Sequence, residues 1–197
     1  MRIVVFGASG MVGSRITAEL EQRGHEVVAA TRSTGSDVTD AESVASTSAG
    51  ADAVVSAVSA RDGGHTLADV AASLIEGVRR AGVKRLVIVG GAGSLEVAPG
   101  MRLVDTPDFH EEWKPEALEQ ADALELYRGV QDLDWTYVSP AAYIHPGERK
   151  GEYRLGGDQL LTREDGSSEI TAEDYAIAIA DLLEAGSHPR ERVTAAW

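Results

Sequence analysis

The chain has 197 residues, no cysteine and a formal net charge of -14. This length fits one domain with a sizeable core, and the lack of cysteine excludes disulfides and thiolate chemistry. Because such an acidic surface repels phosphate backbones and anionic lipids, we expect neither a nucleic-acid nor a membrane partner. No apolar run reaches the length of a secretory core or a membrane helix, so we expect a cytoplasmic protein.

Apolar runs alternate with helical patterns from the start of the chain. Strands are predicted at 2–6, 26–30, 52–58, 84–89 and 135–139. Helices are predicted at 11–23, 40–48, 66–81, 115–128 and 171–185. Strands separated by helices indicate a parallel, doubly wound sheet, so the fold class is α/β. We predict a single Rossmann domain with a mostly parallel sheet over residues 1–197.

Two segments interrupt this alternation, and both follow the carboxyl end of a predicted strand. Residues 90–113 form a loop rich in glycine, proline and acids. Residues 141–168 are irregular, with short strands expected at 153–155 and 159–162, and a last edge strand is predicted at 192–196. Ligands bind at this edge of open α/β sheets, so the two loops are expected to form the substrate side.

A glycine-rich turn separates the first strand from the first helix. It reads Gly7-Ala8-Ser9-Gly10-Met11-Val12-Gly13. In a dinucleotide-binding turn of this spacing, the first glycine permits the sharp turn, the second lets a pyrophosphate approach, and the third permits close helix packing. The helix N-terminus then offers free N–H groups and partial positive charge to the phosphates. The motif predicts a bound dinucleotide, against the alternative of a purely structural turn.

The residues after the second strand favour NADP(H) over NAD(H). An NAD site places an acid here to hold the ribose hydroxyls, but the chain reads Thr31-Arg32-Ser33-Thr34. The guanidinium of Arg32 can pair with a 2′-phosphate, assisted by the neighbouring hydroxyls. The alternative is a solvated surface arginine.

Several stretches resemble one known family. They are GASGMVGSRI at residues 7–16, TRS, SDVTD, GGAGSLEV, KPEALEQADALE, DWTYVSPAA and YRLGGDQLL. The chain resembles an atypical short-chain dehydrogenase/reductase of the small NmrA-like and flavin-reductase (biliverdin-reductase-B-like) NAD(P)H-binding group. The resemblance implies that Asp37 and Val38 lie beside adenine and that Ala57 and Val58 follow the ribose and phosphates. It further implies that the nicotinamide is bordered by Gly90, Gly91 and Pro140.

The chain departs from this family at the classical catalytic pair. None of the five tyrosines has a lysine four residues later, asparagine is absent, and glycine replaces the usual serine after the fourth strand. Ketone reduction needs a strong proton donor, whereas a flavin or quinone spreads the negative charge over a conjugated ring. The loss therefore favours a conjugated acceptor or no catalysis.

Four residues are candidates for the chemistry. Tyr143 and His145 follow Pro140 in a loop where related flavin reductases place a histidine slightly nearer the proline, so His145 is an approximate match, and the alternative is a bystander loop histidine. Ser94 could replace the missing serine, and the alternative is a serine that caps or turns the chain. His110, beside Trp113, could donate a proton, although a charged loop with one aromatic anchor is the simpler interpretation. His110-Glu111 begins like a zinc-binding HExxH, but Lys114 occupies the second histidine position, so no metal is predicted. His65 is predicted to be a surface residue in a turn.

Three functional hypotheses follow. The first is an NADPH-dependent oxidoreductase that passes hydride to free FMN, FAD or a quinone, as a monomer or homodimer. The second is a non-catalytic NADP(H)-binding sensor or regulator, as some NmrA-like proteins are. The third, a sugar-nucleotide epimerase or dehydratase, is disfavoured because that chemistry needs the missing tyrosine.

Overall fold

The computed structural model describes residues 1–59 and 65–197. The described strands, in chain order, are β1 (Arg2–Phe6), β2 (Glu26–Ala30), β3 (Ala53–Ser56), β4 (Arg85–Val89), β5 (Glu96–Ala98), β6 (Met101–Arg102), β7 (Asp134–Pro140), β8 (Tyr143–His145), β9 (Arg154–Gly156), β10 (Glu169–Thr171) and β11 (Glu191–Ala196). Seven of them form one sheet in the order β2-β1-β3-β4-β7-β11-β9. Neighbours in this sheet are parallel except β9, which pairs antiparallel with β11. The predicted α/β fold with a mostly parallel, doubly wound sheet is confirmed.

Helices cover both faces of the sheet. The described α-helices are α1 (Met11–Gln22), α2 (Ala41–Ser48), α3 (Leu67–Arg80), α4 (Lys114–Arg128) and α5 (Ala172–Ala185). Side chains of α1 and α5 share one core cluster, whereas those of α2, α3 and α4 share the other. None of these helices combines the length and apolar character needed to cross a bilayer.

Strand β1 shows why the central strands are continuously apolar. Ile3 and Val5 enter the core under α1 and α5, whereas Val4 and Phe6 enter the opposite core. Because successive side chains point to opposite faces and both faces are covered, every position needs an apolar residue. On the second face, α3 approaches α2 so closely that a Cβ on Gly77 would lie 2.4 Å from a methyl carbon of Val44.

A buried arginine holds the amino ends of the strands. Arg85, 9% exposed, donates to the carbonyl oxygen of Leu182 at 2.8 Å and to Thr136 Oγ1 at 2.7 Å. It also donates to the carbonyl oxygens of Asp134 and Ser187. Burial lowers the pKa of this guanidinium. Its role is structural, because it joins β4 and β7 to the end of α5.

The short outer segments differ from the sequence predictions. The expected strand at 159–162 is wrong: Gln159 forms only an isolated bridge with Glu96. The strand predicted as an edge at 192–196 is internal, because β9 pairs with its outer side. Within the predicted loop at 90–113, β5 and β6 form a small hairpin. A further parallel pair, β8 with β10, was not predicted, since three-residue strands show no readable alternation.

Candidate functional site

An open groove of about 520 Å³ lies at the carboxyl ends of β1, β2 and β3. The helices that follow β1 and β3 pack on opposite faces of the sheet, so a crevice opens where these strands adjoin. The described residues that line it are Phe6, Gly7, Ser9, Gly10, Ala30, Thr31, Arg32, Gly35, Ser36, Asp37, Val38, Thr39, Ala57, Val58, Ser59, His65 and Val70.

Three glycines give the turn between β1 and α1 its shape. Gly7 has a φ of +78°, and a Cβ there would lie 2.5 Å from the Ala57 carbonyl oxygen. A Cβ on Gly13 would lie 2.1 Å from the Gly7 carbonyl oxygen, so α1 reaches the turn only without a side chain there. A Cβ on Gly10 would meet its nearest atom at 3.3 Å. This contact is tight but much less severe than those at Gly7 and Gly13, and Gly10 itself lines the groove.

The amino end of α1 has no side-chain cap. Gly10 is its N-cap residue, and its first turn contains no acid. By contrast, Thr66 caps α3 and Thr171 caps α5 through their hydroxyl oxygens. The first N–H groups of α1 and their partial positive charge are therefore available to an anion. Met11 is exposed in this first turn and Val12 packs on the core, and neither lines the groove.

The turn after β2 brings Arg32 to the groove. Thr31 caps the short 3-10 helix Arg32–Thr34. The Thr34 hydroxyl accepts from the Thr31 N–H at 2.9 Å and donates to the Thr31 carbonyl at 2.8 Å. Ser33 bonds to the Thr31 hydroxyl and does not line the groove. The hydroxyls of Ser33 and Thr34 thus form hydrogen bonds within the turn. Thr31 also takes part in these bonds, and it lines the groove together with Ser36.

Asp37 and Val38 occupy the next part of the wall. One carboxylate oxygen of Asp37 accepts from the Thr39 N–H at 2.9 Å and from the Thr39 hydroxyl at 2.7 Å. These hydrogen bonds, with a smaller contribution from the charge of His65, lower the pKa of Asp37. Val38 is half-buried and packs against the core beneath α3. The carboxylate thus shapes a turn that presents an apolar side chain to the groove.

The segments after β3 complete the opposite wall. Ala57, Val58 and Ser59 follow the strand, and His65 and Val70 come from the start of α3. His65 is exposed, as predicted, but it lines the groove, which the sequence did not indicate. It immediately precedes Thr66, whose capping box with Asp69 fixes the first turn of α3.

Gly90, Gly91 and Pro140 lie outside the described groove lining. A Cβ on Gly90 would lie 2.0 Å from the Tyr137 ring, and one on Gly91 would lie 3.1 Å from Gln120. The Tyr137 hydroxyl accepts from the Gly91 N–H at 3.4 Å and lies 2.7 Å from Gln120 Oε1, to which it can donate. The glycine pair therefore permits close packing of Tyr137 and α4 at the end of β4. This packing explains the missing serine there.

Tyr143, which is exposed, and His145, which is half-buried, form an aromatic pair after Pro140. Their rings stack at 4.9 Å between centroids, and Tyr143 is 57% exposed. The His145 ring also meets Trp197 edge-on at 6.3 Å, and its Nδ1 lies 3.0 Å from the Pro146 carbonyl oxygen. The pair offers a flat surface with two titratable groups.

Ser94 and His110 have different surroundings from this pair. Ser94 accepts a hydrogen bond from Arg192, a residue of β11, at 3.3 Å. The ring of His110 meets that of Trp113 at 4.3 Å between centroids, with the planes tilted by 46°, on the surface before α4. The described contacts therefore do not gather the four candidates into one constellation. Among the described residues, no three or more His, Asp or Glu side chains form a metal-ligand group.

The tyrosines provide no hidden substitute for the classical proton donor. Burial raises the pKa of Tyr127, Tyr137 and Tyr175, each 2% exposed or less. Burial, together with a hydrogen bond to Asp181, also raises the pKa of Tyr153. Among the five tyrosines, only the phenol of Tyr143 is an exposed candidate.

The loop after β8 is fixed through its backbone. Glu173 accepts from the Gly147 N–H at 2.8 Å, and Asp174 accepts from the Gly151 N–H at 2.9 Å. The Thr171 hydroxyl donates to the carbonyl oxygen of Glu148 at 3.1 Å. The first turn of α5 therefore fixes the path of this loop, and Arg149 adds a bidentate pair to Glu19 of α1.

Several lining residues were not predicted from the sequence. Thr31, Ser36 and Ser59 each adjoin a predicted residue, so the chain contained a usable signal for them. His65 gave none, because only the packing of α3 brings it to the groove.

Comparison with known proteins gives one family match and several full-length relatives. Residues 32–185 match the family described as NAD(P)H-binding. The uncharacterised Bacillus subtilis protein YwnB is 39% identical over 98% of this chain and 97% of its own. The structure of a proposed exported protein from Burkholderia pseudomallei is 48% identical, with a TM-score of 0.94 and complete coverage of both chains.

Two further solved structures match the whole chain. A proposed epimerase from Bacteroides thetaiotaomicron is 37% identical, has a TM-score of 0.91 and is covered over 96% of its length. A proposed NADH-flavin reductase from Streptococcus pneumoniae is also 37% identical, with a TM-score of 0.82 and 99% coverage of its length. These neighbours agree with the resemblance to atypical short-chain dehydrogenases/reductases of the flavin-reductase group. The chain belongs to the NAD(P)H-binding family.

Proposed function

We propose that this protein is an NADPH-dependent oxidoreductase that passes hydride to a conjugated acceptor such as free flavin or a quinone. The observation that carries the proposal is the uncapped amino end of α1, whose N-cap residue Gly10 lines the groove without a side chain. Unpaired N–H groups at such an end favour a diphosphate. The groove continues from there past β2 and β3, as an extended dinucleotide requires.

Preference for NADPH is supported by the charges along the groove. Asp37 is the one carboxylate among the described lining residues, and Thr39 already occupies one of its oxygens. An NAD site needs a carboxylate free for the ribose diol, whereas a 2′-phosphate needs a cation. Arg32 supplies the guanidinium on this stretch of the wall.

A conjugated acceptor is supported by what the substrate side contains. When bound, NADPH supplies a hydride, and the acceptor also takes up one proton to become the neutral reduced product. The stacked Tyr143 and His145 offer a flat contact surface and a proton at His145 or at the phenol. The acceptor would lie between the loops that follow β4 and β7. The name of the Streptococcus pneumoniae neighbour supports the same chemistry.

A non-catalytic NADP(H) sensor is the second candidate. It is favoured because Ser94, His110 and His145 each contact a different residue in the structure, namely Arg192, Trp113 and Trp197. Epimerisation receives less support, because the buried tyrosines leave no classical Tyr-Lys pair.

The test is to mix the purified protein with NADPH and with FMN, FAD or a quinone, and to follow the near-ultraviolet absorbance of NADPH. Loss of absorbance that requires both protein and acceptor, and that Gly10→Val abolishes, supports the oxidoreductase. Tight NADPH binding without turnover across a broad acceptor panel would replace it with the sensor. Failure to bind either nicotinamide nucleotide would overturn both.

A further inference from the structure

We infer that His65 forms one wall of an adenine subsite, against which the base of the nucleotide stacks. The inference rests on the proposed nucleotide binding and assigns a residue to its adenosine end. His65 enters the groove from the start of α3, far in sequence from the glycine turn and from Arg32.

The stretch of groove beside His65 has the composition that a flat base needs. Val38, Val58 and Val70 line it, and all three belong to or pack against the core beneath α3. They form an apolar floor whose positions the core fixes. An aromatic base on such a floor loses apolar surface to the protein on one face and needs a planar partner on the other.

His65 is an exposed residue of the same groove lining, and its imidazole is a planar ring. Its charge contributes to lowering the pKa of Asp37, after the larger effect of the Thr39 hydrogen bonds, and also contributes to lowering that of Asp69 in α3. The imidazole is therefore within electrostatic range of both the turn after β2 and the first turn of α3. The capping box between Thr66 and Asp69 fixes the backbone that follows it.

A role in stacking is distinguishable from a role as a phosphate-binding cation. Arg32 and His65 are the two basic side chains among the described lining residues. Arg32 belongs to the polar turn that also contributes Thr31 and Ser36, whereas His65 lies two residues before α3, the helix that contributes Val70 to the apolar lining. We therefore assign the phosphate to Arg32 and the base to His65.

The experiment measures dissociation constants by calorimetry for NADPH, NADH, ADP and nicotinamide mononucleotide. The proteins are the wild type, His65→Ala, His65→Phe and Arg32→Ala. His65→Ala should weaken NADPH, NADH and ADP alike by about five- to tenfold, the lower range for loss of one base–aromatic stack. His65→Phe should retain wild-type affinity within about twofold, because it keeps a planar ring. Nicotinamide mononucleotide, which lacks adenine, should be unaffected by either change.

The control is His188→Asn. His188 is a half-buried histidine before β11, which β4 and β7 separate from β3, and asparagine tolerates its φ of +55°. Thermal melting of each variant reports whether the fold is intact. Unchanged affinities for His65→Ala would overturn the inference alone. Losses confined to NADPH and equal in the alanine and phenylalanine variants would reassign His65 to the phosphate. A wild type that binds no adenine nucleotide would overturn the proposed function and this inference together.

Discussion

Replacing Gly10 with alanine should remove nucleotide binding while leaving the fold in place. Gly10 has a φ of -73° and a ψ of 171°, a conformation open to any residue, and its Cβ would lie 3.3 Å from the Gly7 carbonyl oxygen, a tight contact that a shift of a few tenths of an ångström relieves. An N-cap alanine costs about 0.5–1 kcal/mol relative to a good cap, and loss of glycine freedom in the unfolded chain returns about 0.4–1 kcal/mol. The net change in stability is therefore within about 1 kcal/mol.

The effect on binding should be much larger. The new methyl group would stand where a diphosphate approaches the first N–H groups of α1. A hydrogen bond to a charged group contributes about 1.5–3 kcal/mol, so the loss of two costs about 3–6 kcal/mol. This corresponds to a weakening of about 10²- to 10⁴-fold for both NADPH and NADH. Calorimetry gives the affinities, and a melting curve should shift by no more than about 2–4 °C.

Gly13→Ala is the matched comparison in the same turn. Its Cβ would lie 2.1 Å from the Gly7 carbonyl oxygen, so the backbone must move. Overpacking of this kind costs about 1–3 kcal/mol or more, and the melting temperature should fall clearly. The reasoning is refuted if Gly10→Ala binds both nucleotides within about threefold of the wild type, or if it unfolds as readily as Gly13→Ala.

Three further substitutions probe other contacts. Arg32→Ala should weaken NADPH by about tenfold or more and NADH by less than about twofold in calorimetry, because only NADPH carries the 2′-phosphate. Arg85→Met should lower the free energy of unfolding by about 2–4 kcal/mol in a urea titration, since buried carbonyl oxygens lose their donors, and Arg85→Lys should lose less. Glu19→Gln should destabilise the protein near neutral pH by about 1–2 kcal/mol, because hydrogen bonds from Arg149 and Arg23 lower the pKa of Glu19. That contribution is fully present above the unfolded-state pKa of about 4.5 and is lost as the pH falls through the lower folded-state pKa, so denaturation curves of variant and wild type should converge in acid.

Each of these predictions has an opposing result. Equal losses for both nucleotides in Arg32→Ala would remove the 2′-phosphate contact. A melting curve of Arg85→Met that matches the wild type would mean that water replaces the guanidinium. A stability difference for Glu19→Gln that persists unchanged into acid would mean that its ionisation contributes nothing.

The sequence predicted the regular part of the fold because local and tertiary signals agree there. Asp40, Thr66 and Thr171 cap the helices that they were expected to open, and the apolar residues of β1 are buried on both faces. The strand pair β8 and β10 was not predicted, because its register depends on two segments that meet only in the folded chain.

The candidate site was predictable only in part, for the same reason. The glycine turn and Arg32 belong to a motif whose spacing is visible in the chain. Gly90 packs against the Tyr137 ring, a contact between residues that are far apart in the sequence. The resemblance implied that Gly90 borders the nicotinamide, and the sequence contained no sign of its packing against this ring. His65 lies in the groove because α3 packs against the sheet, and no local sequence pattern predicts this position.

The hydrogen bonds from α5 to the segment from Gly147 to Gly151 determine which positions of this loop can be substituted. Glu173 and Asp174 accept hydrogen bonds from main-chain amides, and the Thr171 hydroxyl donates one to a main-chain carbonyl oxygen. Every amino acid except proline supplies such an amide, but a Cβ on Gly147 would lie 2.5 Å from Thr171 Cγ2, and Gly151 has a φ of +78°, so these two positions require glycine. The contact through Glu148 uses only its main-chain carbonyl. Substitutions between the two glycines can therefore change the side chains that this loop displays while its main-chain path is kept.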